Sequence, residues 1–434
     1  MMPTAFLPLL LCLPVQAQPA PPAAEAFTLQ SYVRTALDKS PEVRQARQSY
    51  EAAAYQWKSQ LASSVLPTLS FTLQGPFWGH STNNGYRFNV WRMERQDMSA
   101  STKLNLNLFN SFQDYLKTRQ ARLGRDSSLE GLRSAEQSKA FEALQSFYDL
   151  NLKLSLQEVA SQNLAAQAEQ FRLTDELYRN GMKSLSDLLK SETDWRSAEL
   201  RLASAEAETK SALMRFNLDI DRPAFEAASL QADLTPGSTE LPRVDLDLAR
   251  ALAQKPAVLR ARRDLERSDA ALALALQGVM PALGVNASLD RSDLGPGRPT
   301  NPNPNYQMGL SLSLPFNFNL ATQYFDYKAA AAERKRSAAA LTAAERAAGN
   351  SLFAAFINLE RATKSYRISA QKEGIAERNL GIVNERYKQG SADVITRAQA
   401  QLDYLSSRTE RAQALNETFI NRALYKLALG DPLW

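Results

Sequence analysis

"LYRNGMKSLSDLL" (Leu177–Leu189) and "RYKQGSADVITRA" (Arg386–Ala398) are two versions of one helix break. Each contains a tyrosine, two polar residues, a glycine, and then a restart that passes from polar to apolar residues. The two glycines, Gly181 and Gly390, differ in residue number by 390 − 181 = 209. Because glycine ends many helices in the left-handed conformation, each stretch predicts a long helix that stops and turns back into a second helix.

The same order of landmarks extends through both halves of the chain. The stretch "SSVLPTLSFTL" from Ser63 resembles "QGVMPALGVNASL" from Gln277. Upstream of these, "ALDKSPEVRQAR" from Ala36 resembles "ALAQKPAVLRAR" from Ala251. Two Ala-rich helices can match by chance, but chance does not keep helices, prolines and glycines in one order, so we predict a tandem duplication. The predicted parts are a first repeat at 27–222, a linker at 223–244 and a second repeat at 245–434.

Four short segments alternate apolar and polar side chains. In the first of them Leu69, Phe71 and Leu73 alternate with polar residues, which predicts a strand with one apolar face. The predicted strands lie at about 66–75, 98–109, 281–290 and 305–316. Each repeat therefore contributes two strands.

Two long tracts contain no proline and little glycine. Proline is absent between Pro76 and Pro223 and again between Pro315 and Pro432. A helix from about Ser111 to the first break would extend on the order of 100 Å, which is too long to be buried in a compact domain. We therefore predict a mainly α protein with a small β part. Each repeat follows the order helix, strand, strand, long helix, helix, and forms a long helical hairpin that packs along other helices.

The first residues have the pattern of an export signal. An apolar run precedes a small-x-small site at Val15–Ala17, which predicts a signal peptide at 1–17 followed by a disordered leader at 18–26. The only cysteine, Cys12, lies inside this segment. Lipidation of Cys12 stays open, because Leu11 is larger than the residue that normally precedes a lipidated cysteine. Removal of the signal would leave a mature chain without a thiol.

Composition argues against several functions. The net charge is +5, and acidic and basic residues alternate along the helical tracts, so no basic stripe for nucleic acid is predicted. With one histidine and, once the predicted signal peptide is removed, no cysteine, the mature chain would lack the residues of thiol-based triads and of most His-rich metal sites. We predict no catalysis and no cofactor.

Four amphipathic strands cannot cross a membrane by themselves. Their edges would present unpaired backbone groups to lipid, and the closed barrels of outer membranes have at least about 8 strands. Strands from several copies must therefore combine, with polar faces toward a wet lumen and apolar faces toward lipid. This arrangement predicts a conduit.

The whole pattern resembles the TolC family of outer-membrane efflux channels. The resemblance runs from "FTLQSYVRTALDKSPEVRQAR" at Phe27 to "ALYKLALG" ending at Gly430, and includes "LPTLSFTL", "LPFNFN" and the two Y-x-x-G breaks. It implies a homotrimer with a shared 12-strand β-barrel in the outer membrane and a helical tunnel in the periplasm. It also implies two protein partners, a periplasmic adaptor and an inner-membrane transporter.

The resemblance assigns functional residues to the two breaks. Residues expected to dock the adaptor are Tyr178, Gly181, Met182, Tyr387, Gly390 and Ser391. Residues expected near the closed aperture are Asp187, Tyr387, Asp393, Thr396 and Gln399. The family's latch arginine is replaced by Ala392, and its two acidic ring positions are Thr396 and Gln399, so a charged ring is not predicted there.

Two alternatives stay open at this point. The first is a periplasmic coiled-coil adaptor or scaffold, although adaptors carry one helical hairpin and this chain predicts two. The second keeps the channel but changes its cargo from small toxic molecules to secreted proteins or metal ions. The sequence does not separate these cargoes.

Overall fold

The computed structural model describes residues 26–74, 99–231, 242–277, 280–292, 305–313 and 320–433. The predicted signal peptide with Cys12, and all of the predicted leader except Ala26, lie outside the described residues. The elements are, in chain order, β1 (Ala26–Thr28), α1 (Leu29–Lys39), α2 (Pro41–Val65), β2 (Thr68–Gln74), β3 (Ser99–Phe109), α3 (Gln113–Arg179), α4 (Leu185–Asp219), β4 (Ser229–Gln231), α5 (Val244–Gln254), α6 (Pro256–Leu276), β5 (Ala282–Ser292), β6 (Asn305–Ser313), α7 (Leu320–Lys388) and α8 (Val394–Leu429).

Two very long helices organise the molecule. α3 has 67 residues and α7 has 69, so each spans about 100 Å at 1.5 Å per residue. Each packs against its return helix, α4 or α8, as an antiparallel hairpin. Near the sheet the helices pack in the order α2, α3, α6, α7, and near the hairpin ends in the order α4, α3, α8, α7. α6 and α8 therefore both lie between α3 and α7, with α6 in the half near the sheet and α8 in the half near the hairpin ends.

A buried cluster joins the short helices to the hairpin in each repeat. In the first repeat Tyr32 stacks on Phe216 with ring centroids 4.1 Å apart, and its hydroxyl donates to the Phe216 carbonyl at 3.1 Å. Phe147 of α3 completes this cluster and is fully buried. In the second repeat the hydroxyl of Tyr425 donates to Asp247 Oδ2 at 2.6 Å. Burial of each ring contributes roughly 1.5–3 kcal/mol, so the two clusters fix the middle of the molecule.

The four main strands form one antiparallel sheet in the order β2, β3, β5, β6. Directly paired residues share a face of the sheet. One row of paired positions is apolar and consists of Leu69, Leu104, Ala287 and Met308. The neighbouring row on the opposite face is polar and consists of Ser70, Lys103, Ser288 and Gln307. The sheet therefore has one apolar face and one polar face, as the alternation predicts.

The outer strands of this sheet, β2 and β6, have one open edge each among the described residues. The apolar face is uncovered as well, with Phe71 70% and Met308 82% exposed. Because every pairing is antiparallel, β2 and β6 run in opposite directions, so β6 of one copy could pair antiparallel with β2 of the next. None of the helices in the described part of the chain is long and apolar enough to cross a bilayer.

A second, two-stranded sheet was not predicted. β1 pairs with β4 in parallel, and β4 falls inside the stretch that the sequence assigned to the linker, while Ala26 falls inside the predicted disordered leader. Each of these strands has only three residues, so neither has enough length to show a period-two pattern. Through this sheet the start of the first repeat is tied to the segment that follows it.

Candidate functional site

The first hairpin ends in a turn, the first tip (177–184), whose backbone hydrogen bonds explain its sequence. The N–H of Gly181 donates to the Tyr178 carbonyl at 2.9 Å, and the N–H of Met182 donates to the Leu177 carbonyl at 2.8 Å. Gly181 has a φ of 72°. This pair of bonds across a left-handed residue is the Schellman motif, which satisfies the last carbonyls of the helix.

The second hairpin ends in the second tip (386–393), which has the same geometry. The N–H of Gly390 donates to the Tyr387 carbonyl at 3.0 Å, the N–H of Ser391 donates to the Arg386 carbonyl at 2.9 Å, and Gly390 has a φ of 71°. A Cβ added at Gly181 or Gly390 would have no neighbour within 4 Å. Both glycines are therefore required by backbone conformation and not by lack of space.

The two return helices begin with matching caps. In the first, Ser184 Oγ accepts from the Asp187 N–H at 3.2 Å, and the Asp187 carboxylate accepts from the Ser184 N–H at 3.2 Å, which is a capping box. In the second, Asp393 Oδ1 accepts from the Thr396 N–H at 2.9 Å. Ser184 and Asp393 occupy equivalent positions, since 393 − 184 = 209. Three of the predicted aperture residues, Asp187, Asp393 and Thr396, are thus engaged in capping.

The capping bonds also keep the two carboxylates ionised. Hydrogen bonds from Ser184 hold the pKa of Asp187 below its usual range, and those from Thr396 do the same for the pKa of Asp393. The ammonium of Lys183 adds a smaller attraction to both carboxylates. Because Lys183 belongs to the first tip and Asp393 to the second, this shared attraction indicates that the two tips lie side by side.

Tyr387 contacts a residue that the sequence analysis did not single out. The guanidinium of Arg397 lies 5.0 Å from the Tyr387 ring centroid, and its Nε donates to Asn384 Oδ1 at 3.1 Å. The charge of Arg397 also contributes, behind the hydrogen bond and charge of Arg172, to lowering the pKa of Glu169 on α3. Arg397 therefore joins α7 to α8 and attracts α3 of the other hairpin.

The spacing around Gly390 could have predicted the contact between Arg397 and Tyr387. Arg397 lies seven residues after Gly390, and Tyr387 lies three before, so an antiparallel hairpin can bring them together. Among the described residues Asp187 bonds to Ser184, and Tyr387 stacks with Arg397.

The remaining predicted site residues are exposed on the tips or on α8. Met182 is 65% exposed and Tyr178 is exposed at the end of α3. Gln399 is exposed and donates from Nε2 to Asp403 Oδ1 at 2.9 Å, so an acidic side chain stands one helical turn beyond the predicted position. Within the described ranges, no group of three or more His, Cys, Asp or Glu side chains could hold a metal ion.

Comparison with known proteins identifies the family. The model of the outer membrane efflux protein family matches residues 32–217 and 248–430, which is most of the chain and both repeats. Nodulation protein T of Rhizobium leguminosarum bv. trifolii is 21% identical over 413 residues, covering 93% of this chain and 85% of the relative.

Solved structures share the fold. The CmeC outer membrane channel of Campylobacter jejuni is similar with a TM-score of 0.74 at 16% identity, covering 93% of this chain and 85% of that one. The open state of the MtrE outer membrane channel of Neisseria gonorrhoeae is similar with a TM-score of 0.74 at 19% identity, covering 93% and 89%. At these identities the likeness concerns the fold, while the family model matches both repeats of the sequence itself. The chain belongs to the family of outer membrane efflux proteins.

Proposed function

We propose that three copies of this chain form the exit duct of a tripartite export system. The protein lies in the outer membrane with its helices in the periplasm, in keeping with its family. The duct is passive, and an inner-membrane transporter drives the cargo through a periplasmic adaptor. The observation that carries the proposal is the sheet with two open edges that run in opposite directions and one uncovered apolar face.

The sheet explains why several copies are needed. One chain supplies four strands to this sheet, whereas closed membrane barrels have at least about 8. Pairing β6 of each copy with β2 of the next closes a ring in which every strand is antiparallel to its neighbours. Lys103 and the polar row beside it would then face the lumen, and Met308 and Phe71 would face lipid. Three copies make the 12-strand barrel that the family resemblance implies.

Disulfide trapping tests this closure, on a chain whose only cysteine, Cys12, is replaced by serine. One cysteine replaces Ser70 on β2, and a second is placed in turn at each polar-facing position of β6 from Gln307 to Ser313. The expected result is a ladder on denaturing gels that ends at the trimer. Bands beyond the trimer would indicate an open filament, and absence of any cross-link would overturn the closure. Cysteines at Lys103 and Ser288, which pair within one chain, provide the matched control and give no ladder.

We further propose that the two tips dock the adaptor and narrow the tunnel. Support comes from the exposed side chains of Met182 and Tyr178, and from the position of Lys183, which is near enough to Asp393 of the other tip to attract its carboxylate. A photo-reactive amino acid at position 182 should cross-link to the adaptor in intact cells. The same amino acid at Leu154, which is 42% exposed farther up α3, should not. Equal cross-linking at both positions would contradict docking at the tips.

The aperture is proposed to lie between Asp393 and Gln399, beside Tyr387 and Asp187. The contact of Arg397 with Tyr387 supports this position, because it ties the start of α8 to the end of α7. The family match favours the channel over a scaffold or adaptor role, and so do the two hairpins with their amphipathic sheet. The cargo, whether small molecules, secreted proteins or metal ions, depends on the transporter with which the duct works.

A further inference from the structure

A cavity of about 400 Å³ opens where α6 begins and α8 ends, between α3 and α7. Gly430, which follows α8, positions this junction: its φ is 87°, and a Cβ there would lie 3.0 Å from the Lys255 Cα. Side chains on the cavity wall include Lys255, Ser351, Asn358, Leu424 and Leu427. Lys255 is the only charged residue among the described residues that line it.

The ammonium of Lys255 has no acidic partner in the described structure. Its Nζ donates to Ser351 Oγ at 2.6 Å, which uses one of its three protons. Burial lowers the pKa of Lys255, and no carboxylate offsets that effect. A half-buried cation with two unused donors, facing a cavity of this size, is a suitable partner for an anion.

The two repeats differ at the position of this cavity. In the first repeat Asp219 accepts from Lys139 Nζ at 2.7 Å and from Ser146 Oγ at 2.7 Å. In the second repeat the three positions 209 residues later are all alanine: Ala348, Ala355 and Ala428. The ion-pair cluster is therefore absent from the second repeat, and the small side chains leave room.

The position of Lys255 changed as well. Its counterpart before the equivalent proline is Ser40, whose hydroxyl caps α2 by accepting from the Val43 N–H at 3.3 Å. In the second repeat the residue at this position is Lys255, so α6 has no side-chain cap. The Lys255 amine lies at the mouth of the cavity instead. The second repeat thus has a cation where the first repeat has a serine, and it lacks a carboxylate at the position of Asp219.

We propose that this cavity binds one monoanionic headgroup on a short apolar chain, with Lys255 and Ser351 holding the headgroup and Leu424 and Leu427 lining the path of the chain. The volume lies in the range of small-molecule sites. The site is in the middle of the helix row, away from the strands β2 and β6 through which copies join in the proposed assembly. A passive duct does not require such a site, so this inference goes beyond the proposed function.

Equilibrium dialysis of the full mature protein in a neutral detergent tests it, with radiolabelled octanoate as the probe and empty micelles as the blank. Lys255→Met removes the cation. Ser351→Glu keeps the cation and supplies the acid that the first repeat carries at Glu142, the equivalent position. Lys210→Met, at an exposed lysine of α4, is the matched control. Because the readout is binding and not conduction, the test is independent of whether the duct functions as proposed.

The wild type and Lys210→Met should bind one octanoate per chain above the blank. Lys255→Met and Ser351→Glu should each weaken binding about tenfold or more, as expected for loss of a charge-assisted bond. Displacement by octyl sulfate but not by octanol would show that any singly charged anionic headgroup is accepted; displacement by neither would show that the site selects carboxylates. Unchanged binding in both site variants, or no binding by the wild type, overturns the proposal.

Discussion

Replacing Gly181 with alanine should loosen the first tip without disturbing any packing. The left-handed conformation costs an L-residue about 1–2 kcal/mol, and the smaller freedom of alanine in the unfolded chain returns about 0.4–1 kcal/mol. Because no atom lies within 4 Å of the added Cβ, steric clash adds nothing. The net cost is about 1 kcal/mol, which corresponds to roughly a fivefold rise in local opening.

Hydrogen exchange of one amide measures this opening. The N–H of Met182 is bonded to the Leu177 carbonyl at 2.8 Å, across the altered glycine. Its exchange rate should rise about fivefold in Gly181→Ala. Gly390→Ala should do the same for the N–H of Ser391, because the second tip has the same bonds and an equally open Cβ position.

The α7 helix provides a control of opposite sign. Gly374 and Gly381 also have no neighbour within 4 Å of an added Cβ, but both lie inside a helix with ordinary dihedral angles. Alanine there should stabilise the helix by about 0.5–1 kcal/mol and slow local exchange. If Gly181→Ala and Gly381→Ala changed exchange in the same direction, the argument from backbone conformation would fail.

Three further perturbations test the site and the core. Arg397→Gln removes a contact with Tyr387 worth about 0.5–1 kcal/mol, so the closed channel should conduct at least about twofold more in planar bilayers. Asp393→Ala should fray the start of α8, seen as faster motion of a spin label there, whereas Asn should retain the cap. Since its pKa is lowered in the folded protein, Asp393 should keep this cap down to about pH 4 and lose it only as the pH falls through that lowered pKa. Lys139→Met leaves Asp219 without its cation; their side chains are 13% and 18% exposed, so the loss should be about 3 kcal/mol, measured as a lower Tm.

Each of these has a result that contradicts it. Wild-type conductance in Arg397→Gln would exclude that residue from the gate. A cap at Asp393 that fails near pH 6 would mean that its pKa is raised, contrary to its hydrogen bonds. Lys153→Met, which breaks a more exposed pair with Glu208, should cost less than about 1 kcal/mol, and a loss equal to that of Lys139→Met would remove burial as the explanation.

Long-range periodicity made most of the architecture predictable. Alternation placed the four long strands, and the absence of proline placed the two long helices, because both signals extend over many residues. The helix expected from about Ser111 begins at Gln113, because Ser111 and Phe112 adopt positive φ angles of 53° and 65° that neither residue type indicates.

The site was less predictable than the fold. Glycine identifies a left-handed turn directly, so both tips were found. The partners of Asp187 and Tyr387 depend on side-chain directions around each turn, and a resemblance to a family does not supply these. Asp187 caps its own helix, and Arg397 contacts Tyr387.

The open edges of β2 and β6 have a consequence for biogenesis. In the proposed assembly a single chain would leave the outer backbone groups of β2 and β6 unpaired in lipid, so insertion and association would occur as one coupled event. The rate of such an event depends on more than the first power of the chain's concentration in the periplasm. Halving expression should therefore reduce the amount of assembled duct by more than half. Unassembled chains would expose the unpaired edges of β2 and β6, which are prone to aggregation and would need a chaperone.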